Sequence, residues 1–225
     1  AHGVFTQSQN SDLRELERTF SIRANDVFFG VYGAALRQQM ALDMPKATLR
    51  VVPEGFTDDE ALNEGRIDLT ICATNRFSSD IKVQRLFTCP FVGLARQGHP
   101  IFDEPITARR FAGFDHISVS RRGHARGPID ALLAELGLER RVSFTTPTFY
   151  SAIFALTGED LILPLMPQVL LKNLEPLGLK LRPFELPITL QPVDIVQAWH
   201  PRLDNDHAHR WLRRTLKTFC DNAVI

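Results

Sequence analysis

Cysteine is scarce and scattered: Cys72, Cys89 and Cys220 are the only three, and no two stand at CxxC spacing. An odd, dispersed set excludes a disulfide framework and a cysteine zinc cluster. Buried structural thiols are the expected state of Cys72 and Cys89, ahead of a redox role. Excess charge of one sign is also missing. Lys plus Arg number 26, as do Asp plus Glu, whereas gripping a phosphate backbone takes a basic surplus. No basic-then-apolar leader opens the sequence. The longest apolar runs, near residues 27–36 and 161–171, are too short to cross a bilayer, so the cytoplasm is the expected compartment. No GxSxG, GxGxxG, P-loop or HExxH occurs, so the expectation is a non-enzyme without a cofactor. His200, His207 and His209 look like metal ligands at first sight. However, His207 and His209 lie two apart on an expected helix and so point to different faces; no metal site is expected.

What is present is an alternation of strands and helices. LNEGRIDLTI (residues 62–71) reads as a helix ending at Gly65 and a buried strand starting within two residues. Before it the pattern predicts a strand over 19–24, a helix over about 27–42 and a strand over 48–53. Such alternation builds a parallel sheet with right-handed crossovers, and ligands bind at the carboxyl ends of such strands. TDDE at 57–60 is a capping box. From Pro90 a second α/β unit follows, with strands at 91–95, 116–120, 141–145 and 161–163. Its helices include 129–136, which carries an i, i+3, i+4, i+7 stripe of Ile129, Leu132, Leu133 and Leu136. The Pro-rich stretch 183–192 reads as a connection back to a strand at 193–199 and a C-terminal helix at 204–220. The expected division is 1–18 as tail and end of a linker helix, 19–87 plus 193–225 as lobe one, and 88–192 as lobe two. At 225 residues with 44% hydrophobic content, the chain can fill two such cores.

Four stretches in order resemble one family. They are the helix end running into a strand (LRELERTFSIRAND, from Leu13), LNEGRIDLTI, the turn Gly98-His99-Pro100, and the closing AWHPRLDNDHAHRWLR. Together they are similar to the effector-binding domain of LysR-type transcriptional regulators, over nearly the whole chain. The resemblance implies a two-lobed, type 2 periplasmic-binding-protein-like α/β fold, each lobe a mixed, mostly parallel sheet flanked by helices. It implies a small-molecule effector in the interlobe cleft, a homodimer that builds tetramers in the full-length protein, and DNA contact only through a winged helix-turn-helix domain that these residues do not supply. The charged DLRELER start, which reads as the tail of a helix, agrees with a domain upstream. A transporter-type solute-binding protein and an enzyme on the same scaffold are the competing readings.

Parallel-sheet geometry puts helix N-termini, which favour anions, at the expected site. Lobe one offers Asn25, Asp26 and Phe28, then Glu54, Phe56 and Thr57. Lobe two offers Ser120 and Arg121, then Thr146, Thr148 and Phe149; the returning strand could add Gln197. Arg121, Arg122 and Arg126 form the sharpest basic cluster, suited to a carboxylate or phosphate, which makes a small anionic metabolite the expected effector. Asn25, Thr57 and Thr146 also read as plain helix caps. The helix 27–42 has more apolar surface than one sheet can cover. Val27, Val31 and Ala35 are expected on the sheet, leaving Phe29, Gly33, Leu36 and Met40 for a second copy through its 129–136 helix.

Overall fold

The computed structural model describes residues 13–53, 58–73, 77–121 and 123–222. The chain divides at Thr88/Cys89 and again at Val193/Asp194, so that the first and last segments form one unit and the middle segment another.

Unit one begins with β1 (Thr19–Arg23), α1 (Asp26–Asp43), β2 (Thr48–Val52), α2 (Asp58–Asn63), β3 (Leu69–Ala73) and β4 (Lys82–Cys89). After the chain returns, β10 (Val193–Trp199) and α7 (His207–Asn222) complete it. The sheet order is β2-β1-β3-β10-β4. β1 runs parallel to β2 and β3, and β10 runs antiparallel to β3. The joint between α2 and β3 depends on Gly65, whose φ of 73° lies in the left-handed region where a side chain is strained. Arg202 covers the same end of α2: its two terminal nitrogens donate to the Leu62 and Asn63 carbonyls, 2.7 Å each.

The inward stripe of α1 is Val27, Phe28, Tyr32, Leu36 and Met40. This corrects the expected faces of that helix. Leu36 and Met40 are fully enclosed by the chain's own packing, Val31 is half-buried and Ala35 is exposed. The physical reason is an i+4 ridge, Phe28-Tyr32-Leu36-Met40, that buries the large side chains and turns Ala34, Ala35 and Ala41 outward. An acidic residue at Leu36 would therefore strike the core and not a surface.

Unit two contains β5 (Phe91–Arg96), α3 (Ala108–Ala112), β6 (Asp115–Val119), α4 (Pro128–Glu135), β7 (Arg141–Thr146), α5 (Phe149–Leu156), β8 (Leu161–Pro167), α6 (Leu171–Leu174) and β9 (Leu181–Phe184). The sheet order is β7-β6-β8-β5-β9, with β6 parallel to β7 and β8, and β5 antiparallel to β8 and β9. The start of the Pro-rich stretch, expected as connection, belongs to β9. Pro183 is tolerated there because β9 is an edge strand, where a missing N–H costs little. Phe184 fills the space above Gly93, where any Cβ would overlap its ring, and joins Phe111, Ile129, Leu133 and Ile162 in the core.

Each unit also buries one neutral histidine against an arginine. In unit one, His209 donates from Nε2 to the Asp68 carbonyl at 2.9 Å and accepts from Arg213 at Nδ1, 2.6 Å. In unit two, His116 donates to the Phe111 carbonyl at 2.9 Å and faces Arg140, 3.4 Å from Nδ1. Burial, reinforced by the neighbouring guanidinium, pushes both imidazoles down to about 4. A folded-state value below the ordinary 6.5 means that the unfolded chain takes up the protons first. The stabilisation is complete above pH 6.5 and is lost as pH falls towards 4. Denaturant unfolding at pH 7 and pH 5 should show a loss of about 2 kcal/mol per histidine. A His116→Gln variant should show a correspondingly shallower loss over the same window; an identical slope would refute the assignment.

Candidate functional site

At the carboxyl end of β1, Asn25 stands in an extended conformation and caps α1, its Oδ1 accepting the Phe28 N–H at 3.1 Å. Asn25 and Asp26 are half-buried at this end. Phe28 is different: its ring lies 4.9 Å from Tyr32 and 5.9 Å from Phe29, inside the core. Glu54, Phe56 and Thr57 lie outside the described residues.

The sequence pattern gave no warning of the strongest electrostatic feature here. Arg23, the last residue of β1, is buried and pairs with Asp58 Oδ1 at 2.9 Å at the start of α2. The polar residues Ser21 and Arg23 alternate with Phe20 and Ile22, which reads as a half-exposed strand; in fact both faces of β1 are covered. Beside Arg23 in the β1–β3 register sits Thr70, 1% exposed. Arg23 Nε and Thr70 Oγ1 are both buried and, among the described residues, without a hydrogen-bond partner. Two unsatisfied polar atoms on adjacent strands mark a place where desolvation has not been repaid.

In unit two the structure brings several expected residues together. The Ser120 N–H donates to the Thr146 carbonyl at 2.9 Å, tying the ends of β6 and β7. Thr148 caps α5, its Oγ1 accepting the Ser151 N–H at 3.3 Å and donating to Ser151 Oγ at 2.7 Å. The basic loop is folded back onto the same strand end: Ser120 Oγ accepts the His124 N–H at 3.1 Å, and Ser118 Oγ donates to the His124 carbonyl at 2.9 Å. Arg121 is exposed on that loop, and Phe149 is half-buried at the start of α5. Arg126 is drawn away to Glu139, 2.9 Å, and Arg122 lies outside the described residues. The result is a strand-end group of Ser118, Ser120, Thr146 and Thr148, with the exposed Arg121 next in the chain to Ser120, a combination of hydroxyls and positive charge that suits an oxyanion.

Gln197 has another task. It is fully buried, and its Nε2 donates to Gln84 Oε1 at 2.7 Å and to the Arg213 carbonyl at 3.1 Å, fastening β10 to β4 and α7. His200 accepts the Arg202 N–H at 3.1 Å, His207 is exposed and His209 is buried. Among the described residues no cluster of three or more His, Cys, Asp or Glu could hold a metal ion. Burial pushes the Cys89 thiol up to about 11 and the Cys220 thiol up to about 12, so both are protonated and unreactive near neutrality. Cys72 is half-buried.

Comparison with known proteins places this geometry. The LysR substrate binding domain model matches residues 14–221. The transcriptional activator NahR of Pseudomonas putida is 26% identical over 89% of this chain, and the transcriptional regulator LinR of Sphingobium indicum 30% identical over 89%. The chain spans 66% of the length of each. The regulatory domain of MexT, a transcriptional activator in Pseudomonas aeruginosa, superposes with a TM-score of 0.77 over 91% of this chain and 98% of that one, at 23% identity. The two mixed sheets flanked by helices are those of the type 2 periplasmic-binding-protein-like fold.

The Arg23–Asp58 pair makes a direct prediction. Removing one partner leaves a buried charge uncompensated, so Asp58→Ala should destabilise unit one by about 3 kcal/mol or more. Arg23→Met together with Asp58→Leu should recover much of that loss. Denaturant melts that place the single and double variants at equal stability would contradict the buried-pair account.

Proposed function

Because the chain belongs to the LysR substrate binding domain family, we propose that it is the effector-sensing part of a LysR-type transcriptional regulator and binds a small anionic metabolite with the strand-end groups of its two units. The observation that carries this reading is the strand-end group of Ser118, Ser120, Thr146 and Thr148, with the exposed Arg121 directly following Ser120 in the chain. Hydroxyl donors can turn towards a carboxylate or phosphate, and the guanidinium supplies charge. Asn25 and Asp26, at the end of β1 in unit one, add an amide and a carboxylate. A hydroxylated acid or a zwitterion satisfies this mixed set better than a bare anion. Transcription control then follows from DNA contact by a domain outside these residues, and the compartment is the cytoplasm. Among the described residues, no helix is long and apolar enough to cross a membrane.

The experiment is native mass spectrometry of the purified chain against a metabolite library, followed by titration of the effector that is found. Arg121→Gln and Thr146→Val should each weaken binding about tenfold, the worth of one charge-assisted hydrogen bond. An effector whose affinity both variants leave intact would show that the site lies elsewhere.

The chain also works as a homodimer in this proposal, and as a tetramer in the full-length protein. Support comes from surface that each unit leaves apolar and open. On α1, Ala34, Ala35 and Ala41 are exposed and Leu42 is 65% exposed; the neighbouring edge strand β2 turns Val51 outward. In unit two, Leu136 after α4 and Phe144 on the edge strand β7 are exposed. Open edges with apolar outward residues invite pairing, and a two-fold axis covers both patches twice. Sedimentation at tens of micromolar should show a dimer, with Leu42→Asp shifting it towards monomer at an unchanged far-UV spectrum. A monomeric wild-type chain would refute the interface.

A further inference from the structure

Unit one holds a concavity of about 710 Å³ between β4 and α7. Five of its lining side chains are cationic, Lys82, Arg210, Arg213, Arg214 and Lys217, and none of its described lining residues is an acid. The whole chain is neutral, so this concentration is local. It also has an energetic cost. Arg210, Arg213, Arg214 and Lys217 recur at i, i+3, i+4 and i+7 on α7, and like charges at those spacings destabilise a helix.

Part of that charge is answered within the fold. Arg213 is buried with its guanidinium 4.4 Å from the centre of the Trp199 ring, and donates to the Leu203 and Asp204 carbonyls at 3.1 and 3.0 Å. Lys217 pairs with Asp221. The rest is unanswered. Arg210 Nη2 donates to the Asn205 carbonyl, 3.2 Å, while its Nε is buried and, among the described residues, without a hydrogen-bond partner. Among the described residues neither Lys82 nor Arg214, both exposed, pairs with an acid.

We propose that this groove is a second ligand site, binding a small polyanion of the phosphate or polycarboxylate class through Lys82, Arg210 and Arg214. Its volume falls in the range of metabolite pockets, about 300–1,000 Å³. The guanidinium fork and the ammonium supply the donors that such oxyanions accept. An anion seated there would also relieve the repulsion along α7, so occupancy should stabilise the fold.

Calorimetric titration at fixed ionic strength tests this, with pyrophosphate in one arm and citrate in the other. At least one should bind saturably at one site per chain, and the tighter one identifies the source. Lys82→Gln and Arg214→Gln should each weaken that binding about tenfold, whereas Arg121→Gln, in the strand-end group of unit two, should leave it as it is. Both groove residues are exposed, so the fold should survive. Without ligand, Arg214→Gln should melt no lower than wild type, because it removes like-charge repulsion. The proposal is overturned if neither anion saturates, if both groove variants bind as well as wild type, or if Arg121→Gln weakens binding equally. It is also overturned if a short DNA duplex binds through Lys82 and Arg214 while neither small anion does.

Discussion

Asp68 accepts the Ser21 N–H at 2.7 Å on its side chain, lies 3.4 Å from Arg18, and offers its own carbonyl to the His209 ring at 2.9 Å. Arg18 in turn grips both oxygens of Asp206 at 2.7 and 2.8 Å, and Asp206 caps α7 by accepting the His209 N–H at 2.7 Å. One network therefore joins the segment before β1, the start of β3 and the first turn of the last helix. Everything at the carboxyl end of the sheet takes its position from it. Asn25 and Arg23 stand where they do because β1 is fixed at its other end against β3 and α7.

Of the three buried histidines, His116 and His209 solve the same problem in the same way. Each ring ties a backbone carbonyl at one nitrogen and an arginine at the other, and each arginine is itself anchored. Arg140 is held by both Asp130 oxygens, 2.9 and 3.0 Å, and Arg213 by two carbonyls. A neutral imidazole is the group that can accept from a cation and donate to a carbonyl at once. Protonation would leave Nδ1 with a proton facing a guanidinium, which is why acid acts on both units through these residues.

Most of the fold was legible because local chemistry and global packing agree. LNEGRIDLTI shows its joint through a glycine that needs positive φ, and Asn25 announces itself as a cap; the cap of α5, however, is Thr148 and not the expected Thr146, which is still the last residue of β7. Less legible were features whose meaning depends on what lies across the sheet. Arg23 looks like the outward residue of an alternating strand until both faces are seen to be covered. Gln197 reads as a strand-end ligand, but its side chain is buried and its Nε2 is engaged by Gln84 and the Arg213 carbonyl. The inward face of α1 was misassigned because the choice between Val27-Val31-Ala35 and Phe28-Tyr32-Leu36 turns on side-chain volume in a core the sequence does not display. The unsatisfied Thr70 hydroxyl has no sequence signal, since a threonine in a strand is ordinary.

The interruption of unit one by unit two has a temporal side. Residues 89–193 form a continuous stretch whose sheet is built from its own strands alone, so unit two can fold as soon as it leaves the ribosome. Unit one cannot. The place between β3 and β4 in its sheet is taken by β10, and Asp68 meets His209 across 141 residues of chain. Until β10 is made, β3 presents an unpaired edge, and until α7 follows, the Asp68 network lacks its last member. Contacts of such sequence separation form slowly, so the nascent chain carries an unfinished sheet for the whole time it takes to synthesise unit two. Its order of birth thus makes the C-terminal helix the latch that ends folding.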